Sequence, residues 1–209
     1  MNRHFNFGHI TALLLLIVLV LTCVGTAGPQ YSDKDLVISG VTCNQQLFLY
    51  QSRTKCDGQD AVRNRYDKDE FPCKASYDRL TAAYAFALLS CIMAFLALVM
   101  TLLTSFKPRI PSSIAVALVV MTFVCLTIAW PISESVRSVK QCDSGASYKD
   151  AGYKIDWGLA LLITAWCVAF VTAVLAIIFG CIRPVVVVKK ETETHTVHEP
   201  AAVRTQPAV

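Results

Sequence analysis

The sequence predicts an all-α membrane protein, a left-handed bundle of four transmembrane helices with a small extracellular domain that contains β-strands and is held by a disulfide. Charged residues make up only 16% of the 209 residues, against about 25% in soluble domains. A helix of about 20 apolar residues crosses a bilayer, so each long uncharged window predicts one span. The four windows are His4–Ser32, Leu80–Phe106, Ile110–Ser133 and Trp157–Ile182.

The predicted segments alternate between spans and connections of very unequal length. In chain order they are a cytosolic N-terminus 1–9, span 10–27, a large extracellular loop 28–79, span 80–105, a cytosolic turn 106–113, span 114–132, a second extracellular loop 133–156, span 157–182 and a cytosolic tail 183–209 that we expect to be disordered. The first window ends in small residues that resemble a signal-peptide cleavage site. Its apolar run exceeds the usual 7–15 residues of a signal core, so we favour a retained helix over a three-span protein.

Cysteines indicate which side of the membrane each connection faces. Lys and Arg residues are similarly dense on both sides and do not decide the orientation. Four of the nine cysteines fall in the two longer connections, Cys43, Cys56, Cys73 and Cys142. An even set on one side fits disulfides in an oxidising exterior, with free thiols in the cytosol as the alternative. We therefore expect cytosolic termini and a place in the plasma membrane.

The four loop cysteines allow three pairings. We favour Cys43 with Cys56, which closes a short loop and is worth roughly 3 kcal/mol by chain entropy. Cys73 could then reach Cys142 and join the two loops. Around these cysteines, residues Asp35–Thr42 and Gln46–Gln51 favour short strands because they are rich in Val, Ile, Leu and aromatics. The mixed charges of Arg63–Asp78 are typical of a solvated surface.

Helix 2 carries a packing signal. Small residues recur at alternating spacings of four and three, namely Ala83, Ala87, Ser90, Ala94, Ala97, Thr101 and Thr104. Such a stripe allows a neighbouring backbone to approach closely, and its seven-residue repeat implies left-handed crossing. We expect it inside the bundle rather than on a dimer face, although the sequence leaves a homo-oligomer open. The indole N–H of Trp166, deep in span 4, requires a partner. Cys181, beside Arg183, is a candidate for acylation, with a buried thiol as the alternative.

Little in the sequence supports catalysis, cofactor binding or nucleic-acid binding. The only histidines are His4, His9, His195 and His198, all on the side expected to be cytosolic, so the exterior lacks an imidazole base. Metal binding by His195 and His198, the two histidines of the tail, is only weakly indicated. The spans contain no internal charge of the kind that transporters use. A net charge of +4 without basic patches among aromatics does not indicate nucleic acid. We therefore expect no enzyme, no cofactor and no metal.

Four spans with a large, cysteine-bearing first loop resemble the claudin-like superfamily. Within it the chain resembles the amastins, surface proteins of trypanosomatid parasites, over roughly residues 8–182. The similar parts are Gly158 to Cys167 at the start of helix 4, preceded by Tyr153 and Asp156, and a first-loop motif. Family positions of that motif are occupied by Leu49, Tyr50, Arg53 and Cys56, whereas Cys43, Gln51 and Lys55 depart from it. The chain therefore resembles a divergent amastin.

This resemblance implies a non-enzymatic surface protein with a role in membrane integrity or host contact. Residues Leu49, Tyr50 and Arg53 would then belong to an extracellular contact motif. The implied partners are the lipid bilayer and neighbouring membrane or host-surface proteins. An accessory subunit of a channel or transporter is the alternative function. Membrane-embedded enzyme chemistry is the weakest hypothesis, since it needs a polar cluster within the spans.

Overall fold

A bundle of four long helices forms the body of the protein. The computed structural model describes residues 3–38, 40–66, 74–106, 112–140 and 147–195, with side chains except at 3–7, 34–35, 38 and 179–195. The helices are α1 (Arg3–Ala27), α2 (Lys74–Phe106), α3 (Ser112–Ser138) and α4 (Trp157–His195). Each contains a stretch long and apolar enough to cross a membrane.

The helices bury small residues inside and present large apolar ones outside. All seven members of the small stripe on α2 are buried, and Ala87, Ala94 and Ala97 are 0% exposed. In contrast, Ile92 and Phe95 on the same helix are 56% and 54% exposed. No water is excluded between helices in lipid, so close backbone approach at small residues is what holds such a bundle together.

One antiparallel sheet caps an end of the bundle. Its strands are β1 (Tyr31–Ile38), β2 (Val41–Leu47), β3 (Gln51–Cys56), β4 (Val62–Arg65) and β5 (Lys154–Ile155). They are ordered β4-β3-β2-β1-β5, so four strands come from the α1–α2 connection and the fifth from the α3–α4 connection. The predicted fold class, four spans with a small disulfide-held β region, is confirmed.

Within the α1–α2 connection the strand boundaries predicted from composition were wrong. The predicted strand Asp35–Thr42 is broken by a hairpin turn, where Gly40 adopts a φ of 83°, a conformation that suits glycine. The predicted strand Gln46–Gln51 is likewise interrupted by the turn between β2 and β3. Part of the segment expected to be a solvated surface forms β4, whose four residues are all exposed, so this part is both a strand and a surface.

The helices are longer than the segments predicted to lie in the bilayer. Helix α2 begins at Lys74, six residues before the predicted span, and α3 continues to Ser138. Pro131 lies inside α3 and removes one helical N–H donor, but the helix does not end there. Helix α4 extends to His195, which takes in part of the tail expected to be disordered. Residues 196–209 lie outside the described chain.

Candidate functional site

Gln30 fixes the sheet to the end of α1. Its side chain is fully buried, and its amide nitrogen donates hydrogen bonds to the carbonyl oxygens of Gly25 (2.8 Å) and Gly28 (3.0 Å). The last carbonyls of a helix have no partner within the helix, so Gln30 supplies one. The backbone N–H of Gln30 also donates to Leu47 O at 2.7 Å. Sequence reasoning missed this residue because nothing distinguishes a capping glutamine from one in a solvated loop.

The two long connections meet beside this junction. Strand β5 pairs with β1 through Tyr31–Ile155 and Ser32–Lys154, and the N–H of Gly158 donates to Pro29 O at 2.9 Å. A Cβ atom added at Gly158 would lie 2.4 Å from that oxygen. The start of α4 therefore requires glycine, because only a residue without a side chain permits this approach of two backbones. This accounts structurally for one residue of the motif that resembles the amastins.

Tyrosines fill the space between the sheet and the bundle. Tyr31 is 1% exposed and its hydroxyl lies 3.2 Å from Ser133 Oγ on α3. The Tyr153 hydroxyl donates to Gln45 Oε1 on β2, and its ring meets that of Tyr148 edge-on at 5.1 Å. Burial raises the pKa of Tyr31, and it raises the pKa of Tyr153 to about 12. These phenols therefore act as neutral hydrogen-bonding groups that join the sheet to α3 and to the second connection.

A disulfide joins Cys43 and Cys56, as predicted, with an S–S distance of 2.00 Å. The two residues are direct cross-strand partners on β2 and β3, so the bond clamps these two strands at the end of β3. Cys73 and Cys142 lie outside the described residues, and their predicted pairing stays a prediction. The side chain of Cys181 also lies outside the described part, so its acylation stays a prediction as well.

The proposed contact motif divides into buried and exposed parts. Leu49 is only 2% exposed and belongs to the buried cluster that contains Val18 and Leu80, so its burial favours an anchor, and its role in a contact stays a prediction. The turn between β2 and β3 points into the bundle, and the ring of Tyr50 lies 5.6 Å from that of Tyr84 on α2. Both side chains anchor the sheet. Of the three motif residues, Arg53 alone points away from the bundle.

The sheet has an inner face that packs on the bundle and an outer face. Tyr31 and Leu47 are paired on the inner face and share a buried cluster with Leu159 of α4. Successive side chains of a strand alternate between faces, which places Arg53 and its cross-strand partner Arg63 on the outer face.

Four cations lie on the outer face of the β3–β4 hairpin. They are Arg53, Lys55, Arg63 and Arg65, which we call the basic cluster. Lys55, Arg63 and Arg65 are exposed and Arg53 is half-buried. No ion pair joins any of the four to another residue in the described parts of the chain. Like charges directly opposite on neighbouring strands repel each other, and Arg53 and Arg63 are direct cross-strand partners.

Catalytic or metal-binding chemistry receives little support from the described residues. Within them, no three His, Cys, Asp or Glu side chains are placed to hold a metal ion. The Trp166 indole donates to Thr127 Oγ1 at 2.9 Å, which confirms the expected need for a partner and leaves the group structural. His198 lies outside the described residues, and the side chains of His4 and His195 are not among those described.

Comparison with protein families places the chain beside one described group. The family model described as amastin surface glycoprotein matches residues 16–176, which include the second half of α1, the whole sheet and the first half of α4. No curated protein matches the chain. The match includes both the Gly158 junction and the disulfide-clamped sheet.

Proposed function

Because the chain belongs to the amastin surface glycoprotein family, whose members are non-enzymatic multi-pass surface membrane proteins, we propose that it has a structural, adhesive role at the cell surface. The observation that carries this proposal is the construction of the sheet. Both long connections contribute strands, the inner face is anchored by Gln30, Leu49 and Gly158, and the outer face is left for a partner. A rigid platform of this kind loses little entropy on binding.

The proposed orientation places the sheet outside the cell and both termini in the cytosol. The Cys43–Cys56 disulfide supports it, because disulfides persist in oxidising compartments. Orientation is tested with two reporter thiols, Asn64→Cys on the sheet and Ser113→Cys at the start of α3, both at exposed positions. On intact cells, an impermeant maleimide should label the first reporter. The second should react only after permeabilisation. Labelling in the opposite order would overturn this orientation, and the parent chain supplies the background.

The adhesive role is tested by blocking the outer face sterically, a test that does not depend on the identity of the partner. Cells displaying Arg63→Cys are reacted with a bulky maleimide and allowed to attach to a host-cell layer. Attachment should fall, whereas the same modification at Lys149→Cys, exposed in the other connection, should leave it unchanged. If cells with modified Arg63→Cys attach as well as cells with modified Lys149→Cys, the adhesive role is refuted.

Co-purification, combined with the attachment assay, distinguishes an accessory subunit of a channel or transporter. Phe95 is 54% exposed on the lipid-facing side of α2, where such a partner would pack. If Phe95→Ala releases a larger co-purifying membrane protein while blocking the sheet has no effect on attachment, the adhesive role is replaced by the accessory one.

A further inference from the structure

The basic cluster is arranged as a short track along the hairpin. Arg53 and Arg63 lie side by side, Lys55 lies two residues further along β3, and Arg65 lies two residues along β4 in the opposite direction. Each residue of a strand adds about 3.4 Å, so the cations occupy three levels spread over roughly 13 Å. Successive levels are about 7 Å apart. The track runs parallel to the strands and is about two strands wide.

Protection of the sheet edge does not account for this arrangement. Charged side chains on an edge strand commonly prevent a second sheet from pairing with it, and β4 is an edge strand. That explanation covers Arg63 and Arg65. It does not cover Arg53 and Lys55, because β3 lies between β2 and β4 and both of its edges are already paired.

The chemistry of the surrounding surface favours a hydrophilic occupant. On the same outer face, the neighbours of the cluster are the amides Asn44, Gln46 and Gln51, which are cross-strand partners of Lys55, Arg53 and Arg65 respectively. Amide side chains donate and accept hydrogen bonds with hydroxyl groups, and guanidinium groups bind sulfate-like and carboxylate oxygens in pairs. A surface that docks on a bilayer would instead place large apolar residues among its cations.

We propose that the basic cluster binds a linear acidic polysaccharide, sulfated or carboxylated, laid along the β3–β4 hairpin. This inference rests on the adhesive role proposed above and names the chemical class of the partner. Anionic groups repeating along the chain would face the three levels of cations. The hydroxyl groups of the polysaccharide would reach the side-chain amides of Gln46 and Gln51, whereas the Oδ1 atom of Asn44 is buried. Such a ligand would also relieve the repulsion between Arg53 and Arg63, so binding should raise the thermal stability of the sheet.

The test uses the full chain in nanodiscs of uncharged phosphatidylcholine, with fluorescent heparin as the probe. Heparin should bind the native chain, and binding should weaken steeply as salt is raised because exposed charges are screened. The double variant Arg53→Gln/Arg63→Gln should bind about tenfold to a hundredfold more weakly, as expected for the loss of two charge-assisted contacts. Lys140→Gln/Lys149→Gln, which removes two exposed cations elsewhere, should bind like the native chain.

Several results would overturn the proposal. Equal weakening by both double variants would show attraction to net charge alone. Binding to vesicles that contain phosphatidylserine, without binding to heparin, would assign the cluster to an anionic membrane. A third variant, Asp67→Asn/Asp69→Asn/Glu70→Gln, removes three carboxylates. If heparin binds only to this variant, the carboxylates of the native chain already neutralise the basic cluster. Retention of the Cys43–Cys56 bond on a non-reducing gel checks that each variant has folded.

Failure of this inference and failure of the adhesive role give different results. If heparin does not bind but the bulky maleimide at Arg63→Cys still prevents attachment, the outer face contacts a partner of another class. If neither has an effect, the adhesive role itself is refuted.

Discussion

The burial of Leu49 separates a structural from an adhesive role for the first-loop motif. Leu49→Ala removes most of a side chain that is 2% exposed. Leucine-to-alanine changes in closed cores cost about 2–5 kcal/mol, and the cost is smaller where the site can collapse. Leu49 lies in a turn between β2 and β3 rather than inside a helix, so we expect the lower end of this range, about 2–3 kcal/mol.

Hydrogen exchange measures this loss where it occurs. A loss of about 2 kcal/mol in the local opening free energy makes exchange roughly thirtyfold faster. The amides of β2 and β3 should show this acceleration, while those in the middle of α4 should not. Leu49→Met, which nearly conserves volume, should cost less than about 1.5 kcal/mol. Val37→Ala, at a residue 64% exposed, should change little.

A single outcome would refute the reasoning. If Leu49→Ala leaves exchange in β2 and β3 unchanged but abolishes attachment to host cells, Leu49 makes the contact itself and the turn is not an anchor. If both change, the loss of attachment follows from the loosened sheet. The outer-face variant Arg53→Gln/Arg63→Gln should behave in the opposite way, because the amides of β2 and β3 should stay protected from hydrogen exchange while heparin binding is reduced.

Three further predictions concern the Cys43–Cys56 disulfide, the close approach of backbones at Gly158, and the buried hydroxyl of Tyr153. Cys43→Ser/Cys56→Ser should lower sheet stability by about 3 kcal/mol for a loop with a sequence separation of 13, measured by thermal unfolding against the oxidised native chain, and the reduced native chain should unfold like the variant. Gly158→Ala should destabilise the protein although alanine favours helix. As a control, the Cβ atom of Gly8→Ala meets only a serine side chain, so this variant should be tolerated. If the two variants are equally stable, the backbone clash at Gly158 is refuted. The raised pKa of Tyr153, about 12, means that the unfolded phenol ionises first, so stability from its burial is lost between about pH 10 and pH 12. Tyr153→Phe should remove that part of the alkaline loss seen by circular dichroism.

The helical part of the fold could be predicted because its signals are local. Uncharged windows mark the spans, and the spacing of small residues from Ala83 to Ala97 marks the buried side of α2, since each signal lies within one continuous segment. The Cys43–Cys56 pair was also accessible, because a short separation favours closure of its loop.

The architecture of the sheet was less accessible, because its determinants lie far apart in the sequence. Strand β5 has only two residues and owes its existence to β1, more than a hundred residues earlier. Strand β4 contains two arginines and an asparagine, a composition that resembles a solvated loop, because strand preference depends on neighbours more than on the residue itself. Leu49 illustrates the same limit. From the sequence, an apolar residue in a loop is equally compatible with binding a partner and with packing the sheet on the bundle, and only its burial in the structure distinguishes the two.

These properties determine how the function of the outer face must be measured. The inner face is coupled to the bundle through Gln30, Leu49 and Tyr153, so a substitution there alters the sheet and every contact the sheet makes. Loss of attachment in such a variant does not identify a binding residue. The basic cluster lies on the opposite face, where the removal of like charges should preserve or raise stability. A variant that folds at least as stably as the native chain and yet fails to bind therefore locates the partner, and the Arg53–Arg63 pair offers that combination.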